Sequence, residues 1–368
     1  MQAIRGLEDL SFSTSTLQVE GLDSSMTAPV LPPGALPVPF RPSFVSANAH
    51  VQTIAGKLLR PEPVLELRRE RWPTDDKDFL DLDFMPDPDP TVPLILVLHG
   101  LEGSARRGYM LNTYRALAAR GLSAVGLNFR ACSGEPNQRA RMYHSGETED
   151  PAFVLRGLRA RFPDRPLGAI GYSLGGNILL KLLGEEGDSS LIEAAVAVSV
   201  PYDLSAGATQ LASGRMCRLY SQYFLRSLKG KVRDKSHLLT DLIEPGQLPG
   251  IHSIREFDER ITAPLHGFDG AEDYYSRCSS AGFLTDIRRP TLLLHSADDP
   301  FLPLRAVPRA QMQENPWLHP TITARGGHVG FFHGPLTRPR FWAEESAARF
   351  MAVTLGPIFR GRRDSLHG

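Results

Sequence analysis

Three residues spread widely along the 368-residue chain have the types and settings for nucleophilic acyl chemistry. Ser173 is the centre of Gly171-Tyr172-Ser173-Leu174-Gly175, a G-x-S-x-G pattern that presents a serine hydroxyl on a sharp strand-to-helix turn. Such a turn is strained and crowded, so the positions two before and two after the serine must be small; Gly171 and Gly175 fill them. A helix starting directly after the serine favours negative charge developing there. A purely structural turn would need the glycines but not the serine.

A serine hydroxyl attacks only when a base takes its proton and a carboxylate orients that base. Among eleven histidines, placement must decide. His328 in "ARGGHVGFF" follows the last predicted strand in a glycine-rich loop, where the base of such a site must lie. His237, His252 and His266 fall in a long excursion, and His295 lies inside a strand run. His319 and His333 lack the strand-then-loop setting, and His367 is close to the C-terminus. His99 precedes the loop after a strand and reads as a structural histidine bonded within its turn. The acid comes from "LLLHSADDPFLP", where Asp298 and Asp299 follow a buried strand and face the rim on which ligands of parallel sheets bind. Adjacent side chains point different ways, so one of the two serves. Two backbone amides must hold the developing oxyanion, and Leu174 and Leu101 occupy those places.

Positioning these residues requires a sheet. "PLILVLHG" (93–100), "SAVGLNF" (123–129), "PLGAIGYS" (166–173), "EAAVAVSV" (193–200), "TLLLHS" (291–296) and "TITAR" (321–325) read as strands, most of them buried on both faces. Helical patterns separate the first four: one stops at Gly121, one opens at Asp150-Pro151 as N-cap and first helical residue, and one spans 175–184. Such repeats give right-handed crossovers and a mostly parallel sheet with helices on both faces. Before it, alternation at Leu65 and Leu67 and at Leu80, Leu82 and Phe84 around "PTDDKD" predicts an antiparallel hairpin. Residues 29–42 carry six prolines in fourteen positions and read as an extended surface arm. From Pro201 to about Arg289 the alternation breaks into an aromatic-rich, helix-leaning stretch of the kind that forms a lid. The expected organisation is an arm at 1–41, a core from 42–200 and 290–358, a helical lid at 201–289 and a tail at 359–368.

Composition narrows the function. Lys+Arg and Asp+Glu each total 41, which gives no electrostatic pull towards nucleic acid. Cys132, Cys217 and Cys278 are odd in number and have no C-x-x-C spacing, so neither a zinc site nor a disulfide framework is expected, and a cytoplasmic protein with reduced thiols is. No apolar run reaches the ~18 residues that span a bilayer. The first 26 residues have early acids and no apolar core, and read as a disordered segment or an over-long start before Met26 rather than a signal peptide.

At the chemically suggestive residues the chain resembles the α/β-hydrolase superfamily, through "HGLEG", "GYSLGG" and "DDPF…GGHVGF". "NAHVQTI" (48–54), "NFRACSGEPN" (128–137), "YHSGETED" (143–150), "SVPYDL" (199–204), "YFLRSLK" (223–229) and "FDERITAPLHGFDGAEDYY" (257–275) are similar to YheT-like hydrolases, relatives of abhydrolase-domain esterases and phospholipases. The resemblance runs from about Pro42 to the C-terminal helix. It implies an α/β-hydrolase fold, carboxylic-ester hydrolysis without cofactor or metal, and a triad of Ser173, Asp299 and His328. Asp299 is chosen over Asp298 because it lies four residues before Pro303, a spacing found in related hydrolases, which leaves Asp298 to cap the turn or next helix. An acyltransferase using the same acyl-enzyme and a non-catalytic binding protein are the alternatives; the expected partner is a small acyl ester. Two departures stand out. Ala131 occupies a position that is usually glycine in the R-G-C-S-G segment, and the membrane anchor of some eukaryotic relatives has no counterpart here, which argues against a membrane phospholipid as substrate. Asn48, His50 and Gln52 at alternating positions are expected to fix the arm to the sheet. Tyr143, His144 and Glu147 are expected to order the approach to Asp150. Tyr220, Tyr223, Phe224, Tyr274 and Tyr275 are expected to form the lid's own core, with one or two of them lining a pocket.

Overall fold

The computed structural model describes residues 30–42, 47–61, 65–86, 89, 91–240, 242–335 and 337–367; the expectations for residues 1–29 lie outside them. An eight-stranded sheet runs through the molecule: β1 (Arg68–Pro73), β2 (Phe79–Phe84), β3 (Leu94–Leu98), β4 (Ser123–Asn128), β5 (Leu167–Tyr172), β6 (Ala194–Val198), β7 (Thr291–Ser296) and β8 (Leu318–Thr323). Its order is β1-β2-β4-β3-β5-β6-β7-β8. β2 is antiparallel to β1 and β4, and every pair from β4 through β8 is parallel.

The two-residue period of each strand sorts side chains between two apolar layers. Leu94, Leu96 and Leu98 of β3 pack with Val154 and Leu158 of α3 (Glu149–Arg161) and with Ile178 and Leu182 of α4 (Leu174–Glu186). Ile95 and Val97 turn the other way, towards Met110 and Leu117 of the helix Gly108–Ala118 and Phe350 of the C-terminal helix. That last helix runs Trp342–His367, through residues expected to form a tail. The helix Gly108–Ala118 is α2, and Ala49–Leu58 before the hairpin is α1. Between β6 and β7 come α5 (Leu204–Leu211), α6 (Gly214–Asp234) and several short helices, the last two of them Ala271–Cys278 and Ser280–Asp286.

Four local expectations are corrected. The first hairpin strand begins at Arg68 rather than Leu65, and the acids of its partner are buried: Arg71 grips Asp81 and Arg69 grips Asp83 through paired hydrogen bonds of 2.7–3.1 Å. β8 starts at Leu318 and carries Pro320, tolerated because this is an edge strand with a free N–H side. Asn48 to Gln52 do not alternate along an extended chain; Asn48 caps α1, accepting from the His50 and Val51 amides. Asp150 is not an N-cap either. It lies in the first turn of α3, where both its oxygens take Arg130 at 2.8 Å, and the Glu147 carboxylate accepts from the Glu149 and Asp150 amides in its place.

At the glycine position of the loop after β4, Ala131 adopts φ +61°. The loop therefore keeps the backbone a glycine would give it, at a steric cost of about 1 kcal/mol for a residue with a Cβ. Ala131→Gly is expected to raise stability by about 1 kcal/mol in urea denaturation; an unchanged or lower midpoint would contradict this account of the loop.

Candidate active site

Ser173 sits between β5 and α4 with φ +51° and ψ −119°, a conformation that persists only when its surroundings enforce it. Its amide donates to Val198 O at 2.8 Å and its carbonyl accepts from Asn177 N at 3.0 Å. A Cβ on Gly171 would lie 2.4 Å from Gly175 O, and one on Gly175 would lie 2.5 Å from His99 O. Both glycines are thus required by direct collision.

His328 comes from the loop after β8, and its ring bridges two strands' loops. Nε2 lies 2.9 Å from Ser173 Oγ, and Nδ1 lies 2.8 Å from Asp299 Oδ2. The other Asp299 oxygen accepts from the Phe301 and Leu302 amides at 2.8 and 3.2 Å. An acceptor-only carboxylate at Nδ1 favours the tautomer with the proton there, which leaves Nε2 able to take the serine proton. Asp298 takes neither a turn-capping nor a helix-capping part. Its Oδ1 accepts from the Gly327 amide at 2.9 Å and so holds the histidine loop one residue before the ring.

More anchors fix that loop, and sequence reasoning missed them. Thr53 Oγ1 of α1 accepts from the His328 amide at 3.0 Å, and Ser199 Oγ accepts from Val329 N at 3.1 Å. Gln52 is fully buried and exchanges two hydrogen bonds of 2.9 Å with the Phe332 backbone. The signal was present in "NAHVQTI", yet its role as a splint for the histidine loop needs the tertiary contact.

The loop after β3 passes against the serine: a Cβ on Gly100 would meet Ser173 Cβ at 3.2 Å. Its Gly100, Glu102 and Gly103 amides are engaged by Tyr109 OH, Tyr143 OH and Gly100 O. Among the described residues the Leu101 amide has no such partner, and Leu174, first in its helix, has no intrahelical acceptor. Leu101 and Leu174 both border the same cavity as Ser173 and His328. His99 bonds within its turn as expected. Phe129 N–H donates to Nε2 at 3.2 Å, so Nδ1–H donates to Gly100 O at 2.8 Å, and burial pushes this imidazole down to about 3, keeping it neutral.

Glu102, a further unforeseen residue, is buried with φ +53°. Its carboxylate accepts from Tyr143 OH at 2.6 Å, from Lys231 Nζ at 2.7 Å and from the Ser227 hydroxyl. The last two belong to α6, so the loop after β3 is fastened to the segment between β6 and β7.

A cavity of about 810 Å³ opens over Ser173, walled largely by apolar side chains such as Leu204, Leu228, Phe257, Ile261 and Leu302. All five aromatics Tyr220, Tyr223, Phe224, Tyr274 and Tyr275 border it, more than the one or two expected, while Tyr274 and Tyr275 also belong, as expected, to the segment's own buried cluster with Leu204, Ala208, Ala263 and Ala271. Among the described residues the three cysteines are unpaired and buried, and no cluster of His, Cys, Asp or Glu could hold a metal. No helix among them is long and apolar enough to cross a membrane.

A half-buried hydroxyl and imidazole and a buried carboxylate in series beside free amides can carry a proton from oxygen to nitrogen and hold an oxyanion. Residues 93–228 match the α/β hydrolase fold family. The chain is 40% identical over 320 residues to YheT of Escherichia coli (strain K12), covering 86% of this chain and 94% of that protein. It is 31% identical to phospholipase ABHD3 of Mus musculus over 77% of this chain and 71% of that one. The chain belongs to the YheT-like α/β hydrolases. The esterase Pf2001 of Pyrococcus furiosus shares the fold at a TM-score of 0.52, with 16% identity over 87% of this chain and 98% of that one.

The cavity wall also makes a pH prediction. The His144 and His266 rings lie 4.4 Å apart. Burial holds each at about 3, reinforced by Arg141 at His144 and by His144 at His266. The unfolded chain takes up these protons below about 6.5 and the folded chain does not, so stability falls as pH drops from about 6.5 towards 3. His266→Leu is expected to flatten the decline in urea midpoint between pH 7 and 5; an unchanged slope would contradict the burial argument.

Proposed function

We propose that the protein is a serine carboxylic-ester hydrolase acting on esters with an apolar acyl chain. One observation carries this reading: the Ser173–His328–Asp299 hydrogen-bonded series at the floor of a largely apolar cavity. Ser173 Oγ attacks the ester carbonyl carbon while His328 Nε2 takes its proton. The Leu101 and Leu174 amides receive the oxyanion, and Asp299 stabilises the imidazolium that forms. His328 then returns the proton to the departing alkoxide oxygen, which leaves an acyl-enzyme. Water attacks by the same route in reverse, giving the free acid and restoring the serine.

Residues 201–289 act as a lid that supplies most of the apolar wall. The substrate class is supported by that wall and by the phospholipase named among the relatives. Glu102 is a positioning residue. Its bonds to Ser227 and Lys231 hold the Leu101 amide in register with the lid.

The reading is tested with p-nitrophenyl esters from acetate to laurate. Ser173→Ala is expected to lower kcat by about 10³-fold or more, and Asp299→Asn by a similar order. Equal hydrolysis by wild type and Ser173→Ala would overturn the mechanism. Glu102→Gln is expected to lower kcat about 10- to 100-fold with KM nearly unchanged, because a displaced amide weakens the transition state and not the bound ester. A change confined to KM would remove Glu102 from the positioning role.

A further inference from the structure

The mouth of the cavity carries an apolar rim that neither the hydrolytic chemistry nor folding requires. Val51, Ile54 and Leu58 stand at i, i+3 and i+7 along α1 and so share one face. They are 37%, 39% and 75% exposed. On α6, which meets α1 where His50 Nδ1 and Tyr220 OH lie 3.1 Å apart, Leu219 and Tyr223 are 62% and 50% exposed. Ile54, Leu58, Leu219 and Tyr223 all border the cavity. Lys57 of α1 donates to Tyr223 OH at 3.0 Å and joins the two helices.

Charge is as one-sided as hydropathy. On α6 the exposed positions Arg215, Arg226 and Arg233 follow the same face as Leu219 and Tyr223, and exposed Arg218 lies at its flank. α1 contains no acidic residue, and α6 contains only Asp234, its last. An exposed leucine and tyrosine among arginines on an amphipathic helix are the composition of a segment that lies on an anionic lipid surface without crossing it.

Resting on the ester-hydrolase reading, we propose that this rim docks the protein onto anionic lipid aggregates, from which an acyl ester passes directly into the cavity. The position of the rim selects the occupant. A protein partner or second copy seated there would stop the entrance, whereas a lipid surface covers the apolar side chains and supplies the substrate together. The cations meet the headgroups, and Leu58 and Leu219 enter the acyl boundary.

Sedimentation with vesicles of phosphatidylcholine containing phosphatidylglycerol, and with phosphatidylcholine alone, tests the proposal. Wild type is expected to bind the anionic vesicles about tenfold or more tightly than the neutral ones. A Val51→Glu, Arg218→Glu, Arg226→Glu triple variant is expected to lose at least about tenfold of that binding. Its hydrolysis of monomeric p-nitrophenyl butyrate and its circular dichroism should stay unchanged. Equal vesicle binding by variant and wild type, or none by wild type, would overturn the docking surface. So would a wild-type dimer, seen by analytical ultracentrifugation, that the triple variant dissolves; that result would assign the face to a second copy. Vesicle binding by a wild type that cleaves no soluble ester would sustain the surface and sink the hydrolase reading instead.

Discussion

The hydrogen bond between His328 Nδ1 and Asp299 Oδ2, 2.8 Å long, is the contact to which the rest of the site is subordinate. It selects the tautomer and the ring orientation, and so decides whether Nε2 can face Ser173. Neither residue could make it alone. Asp299 is held by two amides of its own loop, and the histidine loop is pinned by Asp298, Thr53, Ser199 and Gln52. These anchors come from three places in the chain, so the ring position is set by the fold and not by its own flexible loop. Parallel strands running side by side make this possible, because the loops after β5, β7 and β8 all emerge at the same rim.

Around that polar floor the cavity wall is largely apolar, and α6 stands at its boundary. Ser227 and Lys231 of this helix reach inward to Glu102 beside the Leu101 amide. Leu219 and Tyr223 look outward at the mouth. One helix therefore touches both the loop that would hold the oxyanion and the surface through which an ester would enter. A displacement of α6 would act on both.

Much of this arrangement was legible in the sequence because it is dictated by short-range physics. Continuous apolar runs mark strands buried on both faces, and collision at Gly171 and Gly175 leaves glycine as the residue that fits there. Ser173 and His328 could be placed from the strand that precedes each, and the strand before the acid narrowed it to Asp298 or Asp299, between which the family resemblance chose. What escaped were roles created by distant contacts. Asp298 read as a turn cap, because its partner Gly327 is 29 residues away. Asp150 read as an N-cap until Arg130 claimed both its oxygens. Glu102 showed no pattern at all, since its three partners lie 41, 125 and 129 residues downstream. Pro320 hid the start of β8, because only sheet position shows that an edge strand tolerates it.

The central claim is that His328 makes Ser173 a nucleophile. Its most direct test is covalent: the protein is treated with a fluorophosphonate, and the modified residue is located by peptide mass spectrometry in wild type and in His328→Ala. The account predicts a single adduct on Ser173 in wild type, formed at least about 10³-fold more slowly when the imidazole is removed. An adduct on another residue, or equal rates of labelling in the two proteins, would contradict it.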